Sequence, residues 1–138
     1  TYFIKPDNFE VSEQSIKIHK LSKEFLNDNG CDIHEMLLHL NDLFEKYNIT
    51  QLIAHNIDFD INILMSELFR YKYTITLEKI SNIQLYCTMF GAQAKMGVRK
   101  WPKLTEAYKY FYGDDITNAH DAEFDTLHCY KVYLKLME

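Results

Sequence analysis

The sequence predicts an α/β fold, in which strands alternate with helices around a mixed or parallel sheet. Short apolar segments at 51–55 and 83–87 alternate with longer segments whose apolar residues recur at helical spacing. The chain has 138 residues, of which 47% are hydrophobic and 25% are charged, which is the balance of a globular protein. We therefore expect a single domain over residues 1–138, large enough to bury a core.

The first part of the chain is predicted to hold one strand and two helices. Residues 1–5 are β-prone and are followed by proline, which predicts a strand that runs into a turn. Ser12 can begin a short helix, and the composition of residues 27–30 predicts a loop. Asp32, with Glu35 three residues later, is typical of the start of a helix, and apolar residues at helical spacing continue that helix to about residue 47.

The second part is predicted to contain two strand–helix pairs and two further helices. A strand at 51–55 leads through a junction at 55–60 into a helix whose apolar residues begin at Ile61, and a strand at 83–87 leads into a helix at 88–96. A helix follows from Leu104. The last helix is predicted from about Asp121 by an apolar stripe of Phe124, Leu127, Tyr130, Leu134 and Met137.

Composition and charge exclude several classes of protein. No apolar run approaches the roughly 20 residues that cross a bilayer, and the N-terminus lacks the pattern of a signal peptide. The three cysteines are odd in number and widely spaced, which favours a reducing, intracellular compartment over a disulfide framework. The net charge of −5 argues against a protein that coats nucleic acid by electrostatics alone, but it permits an enzyme whose carboxylates hold divalent cations.

A polar cluster lies at the junction between the strand at 51–55 and the helix after it. Open α/β sheets bind ligands at the carboxyl ends of their strands, and His55 and Asp60 fall at such an end. Asp60 has a simpler interpretation as the helix N-cap, and His55 has one as an ordinary core or loop residue. The junction alone leaves both interpretations open.

A second polar cluster precedes the last helix. His120 lies before the helix and Asp125 lies in its first turns, so the two side chains can converge only if His120 is in the loop. Asp121 and Glu123 are better explained as capping acids in the first turn.

Together the two clusters resemble a known family. His-Asn-x-x-Phe-Asp-x-x-x-Leu from His55 to Leu64, followed by His-Asp-Ala-x-x-Asp from His120 to Asp125, is similar to the DEDDh 3′–5′ exonucleases, the DnaQ-like family of proofreading subunits and their relatives. Weaker similarities at 2–6, 16–22 and 103–104 extend the resemblance over nearly the whole chain. The resemblance implies an RNase H-like fold with a mixed sheet flanked by helices.

The resemblance also implies roles for individual residues. Asp60 and Asp125 would bind two divalent cations, Mg²⁺ or Mn²⁺, which align and neutralise the oxygens of a scissile phosphodiester. His120 would act as the general base toward the attacking water. Further candidates for substrate binding are Asn56, Phe59, His55, Trp101, Lys100 and Lys103. Phe59 has the alternative of a core residue, and Trp101 that of a structural aromatic rather than a platform for a base.

The family's first motif, Asp-x-Glu, does not occur in these 138 residues. We expect the motif and the first two strands upstream, so the domain is expected to be N-terminally incomplete and the chain alone to be nearly inactive. Loss of the motif in a protein that keeps the fold is the alternative explanation.

The predicted activity is release of nucleoside 5′-monophosphates from the 3′ end of a single strand, with DNA favoured over RNA. The predicted partners are that 3′ end and a DNA polymerase, with no membrane, and the predicted location is the cytoplasm or nucleoid. The rival is a catalytically silent module that binds nucleic acid or a polymerase.

Overall fold

The computed structural model describes residues 1–6, 11–116 and 121–138, which form two compact units at 1–48 and 49–138. The described elements of the first unit are α1 (Glu13–His19), α2 (Lys23–Asn29) and α3 (Ile33–Lys46). Those of the second unit are β1 (Gln51–Ala54), α4 (Ile57–Arg70), α5 (Thr74–Ser81), β2 (Gln84–Cys87), α6 (Thr88–Met96), α7 (Leu104–Tyr112) and α8 (Ala122–Met137).

Side-chain caps fix the starts of helices in the first unit, as the sequence predicts. The Ser12 hydroxyl accepts from the Ser15 amide at 3.1 Å before α1, and the Asp32 carboxylate accepts from the His34 amide at 2.7 Å before α3. Each bond satisfies an amide that has no partner within its own helix. α3 then buries Leu37 and Phe44.

Two predictions for the first unit are wrong. The strand expected at 1–5 is reduced, among the described residues, to a single parallel bridge between Ile4 and Cys31. The loop expected at 27–30 is mostly the last turn of α2. Asn29 Nδ2 donates to the Phe25 carbonyl at 3.0 Å, and the Gly30 amide donates to the Leu26 carbonyl at 2.9 Å. These bonds satisfy the end of the helix despite its unfavourable Asn-Asp-Asn composition.

The sheet of the second unit confirms the α/β class. β1 and β2 are parallel, with Gln51 opposite Gln84 and Ala54 opposite Cys87. Helices α4 and α5 form the crossover that parallel strands require. Within the described residues the sheet has these two strands, so the mixed sheet is not seen there. This arrangement brings the carboxyl ends of both strands to one edge.

The crossover differs from the prediction in two ways. α4 begins at Ile57, four residues earlier than the apolar repeat suggests, so most of the expected junction is the first turn of the helix. α5 was not predicted, because its Thr-Ile-Thr start has low helix propensity. α5 buries Thr76 and Ile80, which lie four residues apart on one face, and that burial outweighs the propensity.

Helices α6, α7 and α8 pack around a core of Ala92, Ala107, Tyr108 and Val132. The predicted bounds of α6 are confirmed. The apolar stripe that predicts α8 is not its buried face: the buried residues are His128, Cys129 and Val132, and the five residues of the stripe are exposed. Among the described residues, no helix is long and apolar enough to span a membrane.

Candidate active site

The parallel register places the residues that follow β1 and β2 side by side. Ala54 lies opposite Cys87, so the next residues, His55 and Thr88, meet at the carboxyl edge of the sheet. His55 Nδ1 lies 3.0 Å from Thr88 Oγ1. This is the edge at which α/β sheets bind ligands.

Both ring nitrogens of His55 are engaged by protein atoms. His55 Nε2 lies 2.9 Å from the Pro102 carbonyl, which can only accept, so Nε2 carries a proton. Burial lowers the pKa of His55. The hydrogen bond to the Pro102 carbonyl and the charge of Asp60 act in the opposite direction but are weaker. The imidazole is therefore neutral near pH 7, and Nδ1 accepts from the Thr88 hydroxyl. His55 thus ties the sheet edge to the loop that carries Trp101 and Pro102.

Thr88 extends this network to α8. Its fully buried hydroxyl lies 3.3 Å from the Ala54 carbonyl and 3.4 Å from Cys129 Sγ. Burial raises the pKa of the Cys129 thiol, an effect that hydrogen bonding to Thr88 opposes and the charge of Asp60 reinforces. Cys129 is therefore a neutral thiol, and Cys87, at the end of β2, is half-buried.

Asp60 lies in the first turn of α4 but is not its cap. The N-cap is Asn56, which has a left-handed backbone with φ 72° and makes no capping bond through its side chain. Partial desolvation raises the pKa of the Asp60 carboxyl, opposed by its own backbone amide and by His55. The interpretation of Asp60 as an N-cap is therefore wrong, and its carboxylate is not consumed in capping.

Asp125 lies on the inward side of the first turn of α8. It is half-buried, whereas residues 121–124 and 126–127 are exposed. Asp125 and Cys129 are four residues apart and so share one face of the helix. Cys129 contacts Thr88 at the carboxyl edge of the sheet, so Asp125 lies one turn before that contact on α8.

The capping interpretation of Asp121 is confirmed, since its carboxylate accepts from the Glu123 amide at 3.0 Å and from the Phe124 amide at 3.3 Å. His120 lies outside the described residues.

The other predicted substrate residues lie at the surface. Phe59 is 63% exposed, so the alternative of a core residue is wrong. Trp101 is 65% exposed, and its one described ring contact is with the edge of Phe90. Lys100 pairs with Glu106, Lys103 is exposed, and so is Asn56.

The donor chemistry of the site suits a hard cation. Outside residues 7–10 and 117–120, the structure contains no group of three or more His, Cys, Asp or Glu residues that could hold a metal ion. The two aspartates that the sequence predicts as metal ligands, Asp60 and Asp125, carry carboxylate oxygens, which Mg²⁺ and Mn²⁺ prefer. Two carboxylates alone make an incomplete ligand set for two ions.

Two residues of this region were missed from the sequence. Thr88 could have been found from the register, because it directly follows the second strand as His55 follows the first. Phe90 could not, because nothing in the spacing pairs a residue of α6 with Trp101 in the next loop.

A family model described as exonuclease, RNase_T, matches residues 1–133 and so spans both compact units. No curated protein matches the chain significantly. The family match extends over nearly the whole sequence, and the α/β fold with polar side chains at the carboxyl edge of its sheet agrees with it. The chain belongs to the RNase_T exonuclease family.

Proposed function

We propose that the protein is a metal-dependent 3′–5′ exonuclease that releases nucleoside 5′-monophosphates from the end of a single strand. The observation that supports the proposal is that Asp60 lies in the first turn of α4, which follows β1 at the carboxyl edge of the sheet, while Asp125 is half-buried in the first turn of α8, one turn before Cys129, which contacts Thr88. Family membership supplies the reaction class, a nuclease.

Each residue has a distinct task in this proposal. Asp60 and Asp125 hold divalent cations, which when bound supply charge neutralisation at the phosphoryl oxygens. Asn56 and Asp121 occupy the two N-cap positions, so neither Asp60 nor Asp125 is the N-cap residue of its helix. His120 accepts a proton from the attacking water, a role that suits a side chain with a pKa near neutrality.

The substrate contacts are proposed at the same edge. Asn56 and Phe59 are exposed in the first turn of α4 beside Asp60 and would contact the terminal nucleotide. His55 contributes indirectly, by holding the loop of Trp101, Lys100 and Lys103 through the Pro102 carbonyl. DNA is the proposed substrate on the resemblance to proofreading enzymes. We infer a requirement for the Asp-x-Glu motif in addition to these residues.

The test is an assay of the full gene product on oligonucleotides labelled at either the 5′ or the 3′ end, with Mg²⁺ or Mn²⁺. We expect shortening from the 3′ end and release of mononucleotides. In metal sites generally, mutation of a residue that only supports a metal ligand reduces metal affinity or activity about 10- to 100-fold. Asp60→Asn and Asp125→Asn should therefore each reduce the rate at least about 100-fold. His120→Ala should reduce it about 10²- to 10⁴-fold, the usual contribution of a general base.

The matched control is Asp58→Asn, which removes another exposed carboxylate from the same turn of α4. It should leave the rate within about twofold, a margin within the ±0.5 kcal/mol expected of surface changes. Equal rates on matched DNA and RNA strands would contradict the preference for DNA. A full gene product that binds oligonucleotide without metal-dependent trimming would contradict the exonuclease proposal and leave the silent binding module as the function.

A further inference from the structure

The segment from Lys95 to Lys103 concentrates positive charge in an otherwise acidic chain. Its nine residues include Lys95, Arg99, Lys100 and Lys103 and no acid, whereas the whole chain has a net charge of −5. All four cationic side chains are exposed. Among the described residues, Lys100 pairs with Glu106, and no ion pair involves Lys95, Arg99 or Lys103. Lys95 and Arg99 therefore remain available to an anionic ligand, and the exposed Lys103 is balanced in part by the charge of Glu106.

An exposed aromatic pair lies within this charge. Trp101 is 65% exposed and Phe90 is 43% exposed. Their ring centroids are 5.9 Å apart and their planes cross at 71°. Phe90 therefore supports Trp101 edge-on. The adjacent Pro102 is fully buried, so the chain turns a proline inward and leaves its tryptophan at the surface.

The backbone of this loop is held before any ligand arrives. Gln93 Nε2 donates to the Arg99 carbonyl at 2.9 Å, and the Lys103 amide donates to Glu106 Oε2 at 2.8 Å. Between these two bonds, His55 Nε2 holds the Pro102 carbonyl. A preformed loop loses little conformational entropy on binding, which favours a binding role for Trp101.

We infer that Trp101 and Phe90, flanked by Lys95, Arg99 and Lys103, form a stacking platform for the single-stranded nucleic acid that leads into the active site. The inference rests on the proposed function for its substrate class. Single strands are bound by aromatic rings that stack on bases beside cations that follow the phosphates. The platform adjoins the candidate active site because His55, which holds its loop, follows β1 at the carboxyl edge of the sheet, and Asp60 lies in the first turn of the next helix.

The experiment measures binding without hydrolysis. The probe is a fluorescently labelled oligothymidylate with phosphorothioate linkages, titrated with the full gene product in EDTA and followed by anisotropy. Trp101→Ala should weaken binding about 5- to 150-fold, the range implied by stacking of one base, and Trp101→Phe should restore most of the affinity. Lys103→Gln should reduce the slope of log affinity against log salt by about 1.

Phe69→Ala is the aromatic control, since Phe69 is 77% exposed on α4, and Lys17→Gln is the charge control on α1. Both should bind the oligonucleotide like the unmodified protein. In the 138-residue chain, Trp101 is the only tryptophan, so its own fluorescence should change on addition of oligonucleotide.

Binding by Trp101→Ala equal to that of Phe69→Ala would overturn the platform, and the patch would then serve another class of partner such as a protein. Unchanged tryptophan fluorescence despite binding would overturn it as well. A failure of the proposed function can be told apart from a failure of the platform, because binding in EDTA does not require metal. Asp60→Asn should bind the probe in EDTA normally, whatever its effect on trimming.

Discussion

At the scale of single residues, His55 shows how structure changes the role assigned to a motif histidine. The motif suggests a side chain that contacts substrate, but both ring nitrogens bind protein atoms, Thr88 Oγ1 and the Pro102 carbonyl. Sequence spacing identifies His55 as part of the site. It does not reveal that Pro102, 47 residues later, takes up one of its nitrogens.

His55 should make the protein less stable in acid. Burial lowers its native pKa below the ordinary value of 6.5, so between the two pKa values the unfolded chain binds a proton that the native state does not. The stability that the neutral His55 side chain contributes to the unfolding free energy is fully present above pH 6.5. It is lost as the pH falls toward the native pKa of His55. Each pH unit within that window costs up to about 1.4 kcal/mol.

The measurement is urea unfolding from pH 7.5 to pH 5. The difference in unfolding free energy between the unmodified protein and His55→Gln should shrink as the pH falls. His34→Gln, at an exposed position on α3, provides the control. A difference that is constant across this pH range, or that grows in acid, would contradict a lowered pKa of His55 in the native protein.

At the scale of elements, Thr88 holds together the start of α6, the end of β1 and the face of α8. It is fully buried, and its hydroxyl contacts His55, the Ala54 carbonyl and Cys129. Removing the hydroxyl leaves buried polar atoms without their partner. Thr88→Val should therefore cost about 1–3 kcal/mol of unfolding free energy.

A double-mutant cycle checks that prediction. Thr88→Val and His55→Gln should be non-additive by at least about 0.5 kcal/mol, as expected of residues in one hydrogen-bond network. The control is Thr126→Val on α8, an exposed residue whose hydroxyl donates to the carbonyl of Ala122 one turn back. Strict additivity, or a cost for Thr88→Val no larger than that for Thr126→Val, would exclude the network.

The elements differ in how far the sequence predicts them. Both sheet strands are confirmed, as are α6 and α3, the second of which has strong helical periodicity. α5 could not be predicted, because burial of Thr76 and Ile80 against the fold decides its structure rather than its own propensity. The buried face of α8 could not be predicted either, because its apolar stripe is exposed and its buried side includes His128 and Cys129.

At the scale of the whole molecule, the predicted family is confirmed by a match over residues 1–133. The finer assignment to DnaQ-like proofreading enzymes remains a prediction. It depends on His120, which lies outside the described residues, and on Asp-x-Glu, which these 138 residues do not contain. Two separated motifs predicted the site because each carboxylate follows a distinct turn signal. Asp60 lies on α4 and Asp125 on α8, and spacing along the chain does not encode how two such helices are placed.

The central claim of the proposed function is that Asp60 and Asp125 share divalent cations, which would let a chain with a net charge of −5 hold a phosphodiester. Titration of the full gene product with Mn²⁺, followed by the electron paramagnetic resonance signal of free Mn²⁺, tests this claim directly. We predict that Asp60→Asn and Asp125→Asn each weaken Mn²⁺ binding at least about tenfold, since ligand loss should cost no less than loss of an outer partner. Asp58→Asn should not. Binding that is unchanged in both variants, or lost in only one, would contradict a shared metal site.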